Sequence, residues 1–254
     1  MKNSDFKTVA LKAAEKASKV LLKYFISKNK ISQKPNKSLV SEADLKANNA
    51  IITEIKKKFP EHNIISEECP FENNNSDYTW VIDPLDGTHN YLRGIPIFGV
   101  SIALKYRDEV ILGVLDFPVL KIKAVAEKGK GAFVNGKKIQ VSGKSEMHRS
   151  FILFEFSSTH RDEKIGFLKN VSDHSFDLRN FGSAIYHLLL IASGKCDAFV
   201  ILYTNEWDVA AGFILVEEAG GMITDTNGKK WDFKNKKYVV SNGKLHNKFL
   251  KFFN

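Results

Sequence analysis

The start of the chain carries the spacing of two amphipathic helices. Apolar positions recur at steps of three and four residues, and this pattern predicts a helix over Ser4–Lys28. A second helix is predicted from Ser41 up to Pro60, which ends it. Ser41 is its candidate N-cap, and Asp44 follows at the third helical position, where an acid stabilises the exposed N–H groups. Capping is therefore the first interpretation of Asp44.

Short apolar runs predict strands through the middle of the chain. Phe98–Lys105 alternates apolar and small residues, and Glu109–Phe117 and Lys121–Glu127 continue it as a meander. Asn135-Gly136 is a strong signal for a tight hairpin turn. The other predicted strands are Asn63–Glu68, Trp80–Ile82, Phe151–Phe156, Ser175–Arg179, Cys196–Leu202, Met222–Thr224 and Tyr238–Ser241.

Helical patterns return in the second half of the chain, after a polar stretch between Val141 and Arg149. The predicted helices are Glu163–Lys169, Ser183–Ser193, Trp207–Ala219 and Leu245–Phe253. Helices that alternate with antiparallel-looking strands favour a layered α+β fold. We expect an N-terminal half over residues 1–142 and a C-terminal half over residues 143–254, packed as one compact unit.

Composition narrows the class of protein. The chain has 254 residues, of which 43% are hydrophobic, and this is enough for a sizeable core. It has no apolar run of membrane-spanning length and no apolar signal core at its start, and its two cysteines form neither a disulfide framework nor a zinc pattern. These features predict a cytoplasmic protein without a membrane span.

The formal net charge is +9 and comes mostly from lysine. Such a field attracts anionic substrates or binds nucleic acid non-specifically, and it is also what a lysine-coated surface produces. Because arginine and aromatic residues are not clustered with the lysines, the sequence argues against sequence-specific nucleic-acid recognition.

The segment Trp80–Asn90 carries the densest chemistry. Three apolar residues lead into Asp83, and Pro84 and Leu85 separate it from Asp86. A strand that carries Asp83 to its end and then breaks would bring Asp83 and Asp86 to a common point. Two such charges repel unless a cation lies between them or one binds a proton. A solvated turn accounts for this segment equally well, because Asp, Pro and Gly are turn formers.

Carboxylates follow apolar runs in two further segments, at Glu67-Glu68 and at Asp208. Together with Asp83 and Asp86 they form an all-oxygen donor set, which suits Mg²⁺. After them, Gly87 permits close backbone approach to a phosphate held at a helix start. The neighbouring Thr88 has a hydroxyl that can orient a water molecule. Two metal ions about 3.5–4 Å apart are an established device for phosphate-ester hydrolysis.

These segments resemble the inositol monophosphatase family. Trp80–Asn90 is similar to its first signature, Glu206–Gly212 to its Trp-Asp-x-Ala-Ala-Gly signature, Ser66-Glu67-Glu68 to its Gly-Glu-Glu, and Val40–Asp44 to its Val-Thr-x-x-Asp. The resemblance runs along essentially the whole chain. It implies an αβαβα layered sandwich, shared with fructose-1,6-bisphosphatase, and a Mg²⁺-dependent, lithium-sensitive phosphatase.

The resemblance also implies the metal ligands. Glu67, Asp83 and the Leu85 carbonyl would hold the first Mg²⁺. Asp83, Asp86 and Asp208 would hold the second, so that Asp83 bridges the two. Two or three ions per subunit are expected.

Catalytic and phosphate-binding roles follow from the same resemblance. Glu67 and Thr88 would orient the attacking water, and Asp44 would hydrogen-bond Thr88. Gly87 and Thr88 would receive the phosphate through their amides. Glu68 would support the loop and assist a third, weaker metal.

The substrate side departs from the family pattern. Inositol-preferring members carry a glutamate near the position of Ile201, and this chain lacks it. Asn205, Glu206 and Arg179 are candidate substitutes for it. Gly182-Ser183-Ala184 resembles the substrate-side Gly-Thr-Ala turn, which makes Ser183 and Ala184 substrate-binding candidates, although Ser183 is equally a helix N-cap.

The sequence leaves several functions open. The first is hydrolysis of inositol-1-phosphate by a homodimer, with fructose-1,6-bisphosphate and 3′-phosphoadenosine 5′-phosphate as rival small phosphorylated substrates. The alternative of another class is an RNA- or transcription-associated binding protein.

Overall fold

The structure is a computed structural model that describes residues 3–25, 31–33, 39–156 and 160–253; for residues 3, 4, 31–33 and 39–41 it describes the backbone alone. The helices are α1 (Asn3–Phe25), α2 (Glu42–Lys58), α3 (Thr88–Leu92), α4 (Arg161–Ser172), α5 (Ala184–Ala192), α6 (Glu206–Glu218) and α7 (His246–Leu250). The strands are β1 (Ile31–Gln33), β2 (Leu39–Ser41), β3 (Asn63–Ser66), β4 (Cys69–Glu72), β5 (Tyr78–Asp86), β6 (Gly99–Tyr106), β7 (Glu109–Phe117), β8 (Ile122–Glu127), β9 (Gly131–Val134), β10 (Lys137–Lys138), β11 (Phe151–Phe154), β12 (Asp177–Arg179), β13 (Ala198–Leu202), β14 (Met222–Asp225) and β15 (Lys237–Ser241).

Two mixed sheets form the frame of the molecule. The larger sheet has the order β10-β9-β8-β7-β6-β5-β3-β4, with β3 and β5 parallel and the other neighbours antiparallel. The smaller sheet has the order β12-β11-β13-β15-β14, and in it β11 runs parallel to both β12 and β13. Parallel neighbours end at the same sheet edge, so the residues that follow β3 and β5, and those that follow β11 and β13, are brought together in pairs.

Alternating side chains divide the core into three parts and so define five layers. One face of the larger sheet packs against α1 and α2, with Trp80 and Ile82 inside. Its other face, with Val81, packs against α5 and α6, which also cover one face of the smaller sheet. The outer face of the smaller sheet packs against Phe167 of α4 and Phe249 of α7. The predicted αβαβα layering is confirmed.

Helix α6 lies close to its neighbours because of Gly212. A Cβ atom at this position would lie 2.3 Å from Cδ1 of Leu188 on α5. Only glycine permits this approach, which fixes the helix that begins just before Asp208.

Several elements differ from the prediction, and among them the strands β1 and β2 were not predicted. The strand expected to break after Asp83 runs on to Asp86, with a register shift between the two residues. Cys69–Glu72 forms an unpredicted edge strand, and the last helix is shorter than Leu245–Phe253. The predicted end of the first helix, residues 26–28, lies outside the described residues.

Within the described ranges, none of the helices has the length and apolar character needed to cross a membrane. The larger sheet is built from segments before residue 142 and the smaller sheet from segments after it. The division of the chain into two halves at that point stays a prediction.

Candidate active site

Asp83 lies at an irregularity in the middle of the larger sheet. It pairs with Ser101 of β6, and regular pairing resumes only at Asp86 opposite Gly99. The bulge turns the intervening backbone so that the Leu85 amide donates to Oδ1 of Asp83 at 2.9 Å. Asp83 is only 2% exposed. The sheet therefore holds a carboxylate that is almost completely removed from solvent.

The chain reverses at Gly87 and begins α3. Gly87 has a φ of 83°, in the left-handed region, and a Cβ there would lie 2.8 Å from the Ile97 carbonyl oxygen. The Thr88 hydroxyl donates to the Leu85 carbonyl at 3.0 Å, which closes the turn that contains Asp86 and Gly87. The turn leaves no room for a side chain at Gly87, as a backbone cradle for a ligand requires.

Glu67 comes beside Asp83 through the parallel pairing of β3 and β5. Ser66 pairs with Ile82, and the Glu67 amide then donates to the Ile82 carbonyl at 3.2 Å. Glu67 and Asp83 are thus the next residues along two neighbouring strands. This geometry explains why Glu67 raises the pKa of Asp83.

Asp86 lies against the first turn of α5. The Ser183 hydroxyl donates to it, as do the amides of Ala184 at 3.2 Å and Ile185 at 3.3 Å. Ser183 also caps α5, because its hydroxyl accepts from the Tyr186 amide. The predicted N-cap role of Ser183 is confirmed, and its hydroxyl joins the cap to a predicted metal ligand.

Asp208 occupies the first turn of α6. Its Oδ2 accepts from the Asn205 amide at 2.7 Å and from the Thr204 hydroxyl at 2.9 Å. The side chain thus fills an ordinary capping position. That position places its carboxylate on the side of α6 nearest Glu67 and Asp86, both of which are electrostatically linked to it.

Burial and repulsion by neighbouring acids raise the pKa values of Asp83, Asp86 and Asp208. Burial is the largest cause for all three aspartates, and it raises the pKa of Asp86 to about 8 and that of Asp208 to about 7. The pKa of Asp83 is raised by burial and then by Glu67, Asp86 and Asp208. The charged groups that raise these pKa values are themselves acids, namely Glu67, Glu155 and the neighbouring aspartates.

The donor chemistry fits a divalent cation. In the part of the chain that the structure describes, no three Asp, Glu, His or Cys side chains are gathered into a group that could hold a metal ion as they stand. Asp83, Asp86 and Asp208 are instead held by protein donors. Yet crowded oxygen donors whose charged neighbours are acidic form the environment that Mg²⁺ neutralises.

Comparison with known proteins settles the family. The model of the inositol monophosphatase family matches residues 2–254. The chain belongs to this family. A fructose-1,6-bisphosphatase/inositol-1-monophosphatase of Thermotoga maritima is 38% identical over 86% of this chain and 83% of its own. A Nus factor SuhB of Pseudomonas aeruginosa is 35% identical over 92% of this chain and 89% of its own.

The fold comparison agrees. The extragenic suppressor protein suhB from Bartonella henselae superposes with a TM-score of 0.95 and 31% identity, covering 98% of both chains. Members of the inositol monophosphatase family are phosphatases. The site described above is therefore where a member of this family is expected to act.

Two predicted substrate-side residues are held elsewhere. The Glu206 carboxylate accepts a hydrogen bond from the Lys105 ammonium, with 2.5 Å between Nζ and Oε1, and this bond holds the carboxylate against β6. Arg179 lies on the edge strand β12 and donates to Asp177 and to the Leu178 carbonyl. Both side chains have local partners that account for their presence.

The predicted supporting residues lie at the expected places in the fold. Asp44 is 2% exposed in the first turn of α2, and Glu68 is half-buried directly after Glu67. The side chain of Ser41 lies outside the described residues. The hydrogen bond between Asp44 and Thr88 stays a prediction.

Sequence reasoning missed Glu155. This carboxylate raises the pKa of both Asp86 and Asp208, so it belongs to the same acidic cluster. The signal was present, because Glu155 directly follows the apolar strand β11, just as Glu67 follows β3.

Proposed function

We propose that this protein hydrolyses a small phosphate monoester, namely inositol-1-phosphate, to inositol and inorganic phosphate with Mg²⁺ as its cofactor. The observation that supports this most strongly is the crowding of Glu67, Asp83, Asp86 and Asp208 around the turn at Gly87. Burial raises the pKa of all three aspartates, and the Glu67 charge adds to this at Asp83 and Asp208; such acids are costly to bury unless they serve a cation.

The metal-binding roles follow the donor positions. Glu67, Asp83 and the Leu85 carbonyl would hold one Mg²⁺, and Asp83, Asp86 and Asp208 a second. When bound, the ions polarise the phosphoryl oxygens, lower the pKa of a water and stabilise the leaving oxygen. Asp83 would be the shared ligand because it lies within β5 at the point nearest Glu67 and is linked electrostatically to both other aspartates.

The remaining residues position water and phosphate. The Thr88 hydroxyl donates its single hydrogen to the Leu85 carbonyl, so its lone pairs are left to accept a hydrogen bond from the attacking water. Glu67 would accept the second hydrogen bond of that water. The Gly87–Thr88 backbone would face the phosphate, and the close approach of Gly87 to the Ile97 carbonyl would hold this turn in place. Buried Asp44 would support Thr88.

We choose inositol-1-phosphate as the substrate because of the family to which the chain belongs. Other phosphate esters remain alternative substrates. The Thermotoga relative is named both a fructose-1,6-bisphosphatase and an inositol-1-monophosphatase, so fructose-1,6-bisphosphate is an alternative substrate. The similarity to a Nus factor keeps the transcription-associated alternative as a prediction. We place the working enzyme in the cytoplasm as a homodimer; both cysteines are free, as a reducing compartment requires.

A phosphate-release panel tests the proposal. The substrates are inositol-1-phosphate, fructose-1,6-bisphosphate, 3′-phosphoadenosine 5′-phosphate, glycerol phosphate and histidinol phosphate, each with Mg²⁺. We expect the highest kcat/KM on inositol-1-phosphate. A tenfold preference for another ester would overturn the substrate and leave the phosphatase class standing, whereas no release from any ester would overturn both.

A further inference from the structure

Glu155 lies where two neighbouring strands reach the candidate active site. In the parallel pair β11–β13, Leu153 is opposite Phe199 and Phe154 is opposite Val200. The next position along this register brings Glu155 beside Ile201. Glu155 is the first residue after β11, at the sheet edge where the chain leaves toward the site.

The alternation of side chains gives the direction of Glu155. Phe154 packs in the outer core with Val200, while Leu153 packs in the central core with Phe199 and Ile201. Successive residues of a strand point to opposite faces. Glu155 therefore follows Leu153 onto the inner face, where α5 and α6 are packed.

The electrostatics place the carboxylate close to the cluster. Glu155 raises the pKa of Asp86, which lies against the start of α5, and it also raises the pKa of Asp208 in the first turn of α6. Its cationic neighbour is Lys164 of α4, itself only 2% exposed. The Glu155 carboxylate thus lies at the edge of the smaller sheet, between Lys164 of α4 on the outer side and the acidic cluster on the inner side.

The neighbouring strand supplies no acceptor there. Ile201 is apolar and fully buried, at 0% exposure, so it contributes packing and no hydrogen bond. Glu206 is bound by Lys105, and Arg179 by Asp177. The organic part of a phosphorylated polyol carries hydroxyl donors that need an acceptor when they are buried.

We propose that Glu155 is the specificity-determining acceptor of this enzyme, receiving a hydrogen bond from a hydroxyl of the substrate's polyol part. The inference rests on the proposed function. It assigns a residue to the part of the same site that contacts the organic portion of the substrate. In this proposal Glu155, the residue after β11, supplies the hydrogen-bond acceptor that Ile201 on β13 lacks.

The test compares two esters that share the phosphate and differ in the leaving group. Inositol-1-phosphate carries hydroxyls, and phenyl phosphate carries none. The measured quantity is the ratio of their kcat/KM values in wild-type protein and in Glu155→Gln. We expect the ratio to fall about 10- to 100-fold, since a hydrogen bond to a charged acceptor is weakened.

Glu163→Gln is the matched control. Glu163 lies on α4 and bonds Lys237 and Tyr203 at the surface, so this variant makes the same charge change at a second acid that acts on Lys164. Its ratio should equal that of the wild type. If Glu155→Gln fails to fold because Lys164 loses its partner, Glu155→Asp keeps the charge, withdraws the carboxylate by one methylene, and should also lower the ratio.

The outcomes separate this inference from the proposed function. Wild-type release from both esters with an unchanged ratio in Glu155→Gln would overturn the Glu155 role alone. Equal losses on both esters with a raised Mg²⁺ requirement would also overturn it, because Glu155 would then be a metal ligand. Wild-type release from neither ester would overturn the proposed function and the Glu155 role with it.

Discussion

Asp83→Asn is expected to lower kcat for phosphate release by about 1,000-fold or more, because the shared metal ligand is lost. Metal ions supply several kcal/mol of charge stabilisation in such reactions, and about 4 kcal/mol corresponds to about 1,000-fold in rate. The substitution keeps the shape of a side chain that is 2% exposed. It also removes one charge from a repulsive cluster, so the melting temperature in EDTA should not fall. Steady-state kinetics and thermal melting check both parts.

Asp225→Asn is a matched control for this variant. Asp225 is also a buried aspartate, and its Oδ1 accepts from the amides of Asn227 and Lys229 in a turn of the smaller sheet. It should keep its turnover. Normal turnover in Asp83→Asn would contradict the metal assignment.

Gly87→Ala is expected to lower kcat/KM about 100-fold and to destabilise the fold by about 1–3 kcal/mol. The strain of a left-handed conformation at a non-glycine residue is of this order. In addition, the new Cβ would lie 2.8 Å from the Ile97 carbonyl oxygen, so the backbone that we propose faces the phosphate must shift. A displacement of about 1 Å at a positioning group is enough for a loss of this size. Kinetics and chemical denaturation measure the two effects.

Gly94→Ala separates strain from close approach. Gly94 has a φ of 74°, and a Cβ there would meet nothing within 4 Å. It should lose stability through strain alone and keep its activity. If Gly87→Ala behaved like Gly94→Ala in both measurements, the crowded turn would have no special role.

The layered fold was predictable because the local signals agree with one another. The amphipathic spacing of the first helices, the meander, and the Asn135-Gly136 turn each match the structure, and both turn residues have positive φ. The path of β5 was not predictable from local signals. Pro84 between two aspartates is typical of a turn, but pairing of Asp86 with Gly99 lets the strand resume after a bulge.

The acids of the site were predictable from their position after apolar runs, whereas their partners were not. Ser183 and Asp86 are far apart in the chain and meet only because α5 packs between the sheets. Likewise, the Lys105–Glu206 pair joins β6 to α6, and no local pattern marks it. Glu155 had the same local signal as Glu67, but only the register of β11 and β13 shows where it leads.

The measurement that most directly tests the account is phosphate release from inositol-1-phosphate by EDTA-treated protein during a Mg²⁺ titration. The carboxylate cluster predicts no release above buffer without the metal and full recovery as Mg²⁺ is added. Asp83→Asn should not recover over the same range. A wild-type rate that persists in excess EDTA would contradict the claim that these carboxylates act by holding a divalent cation.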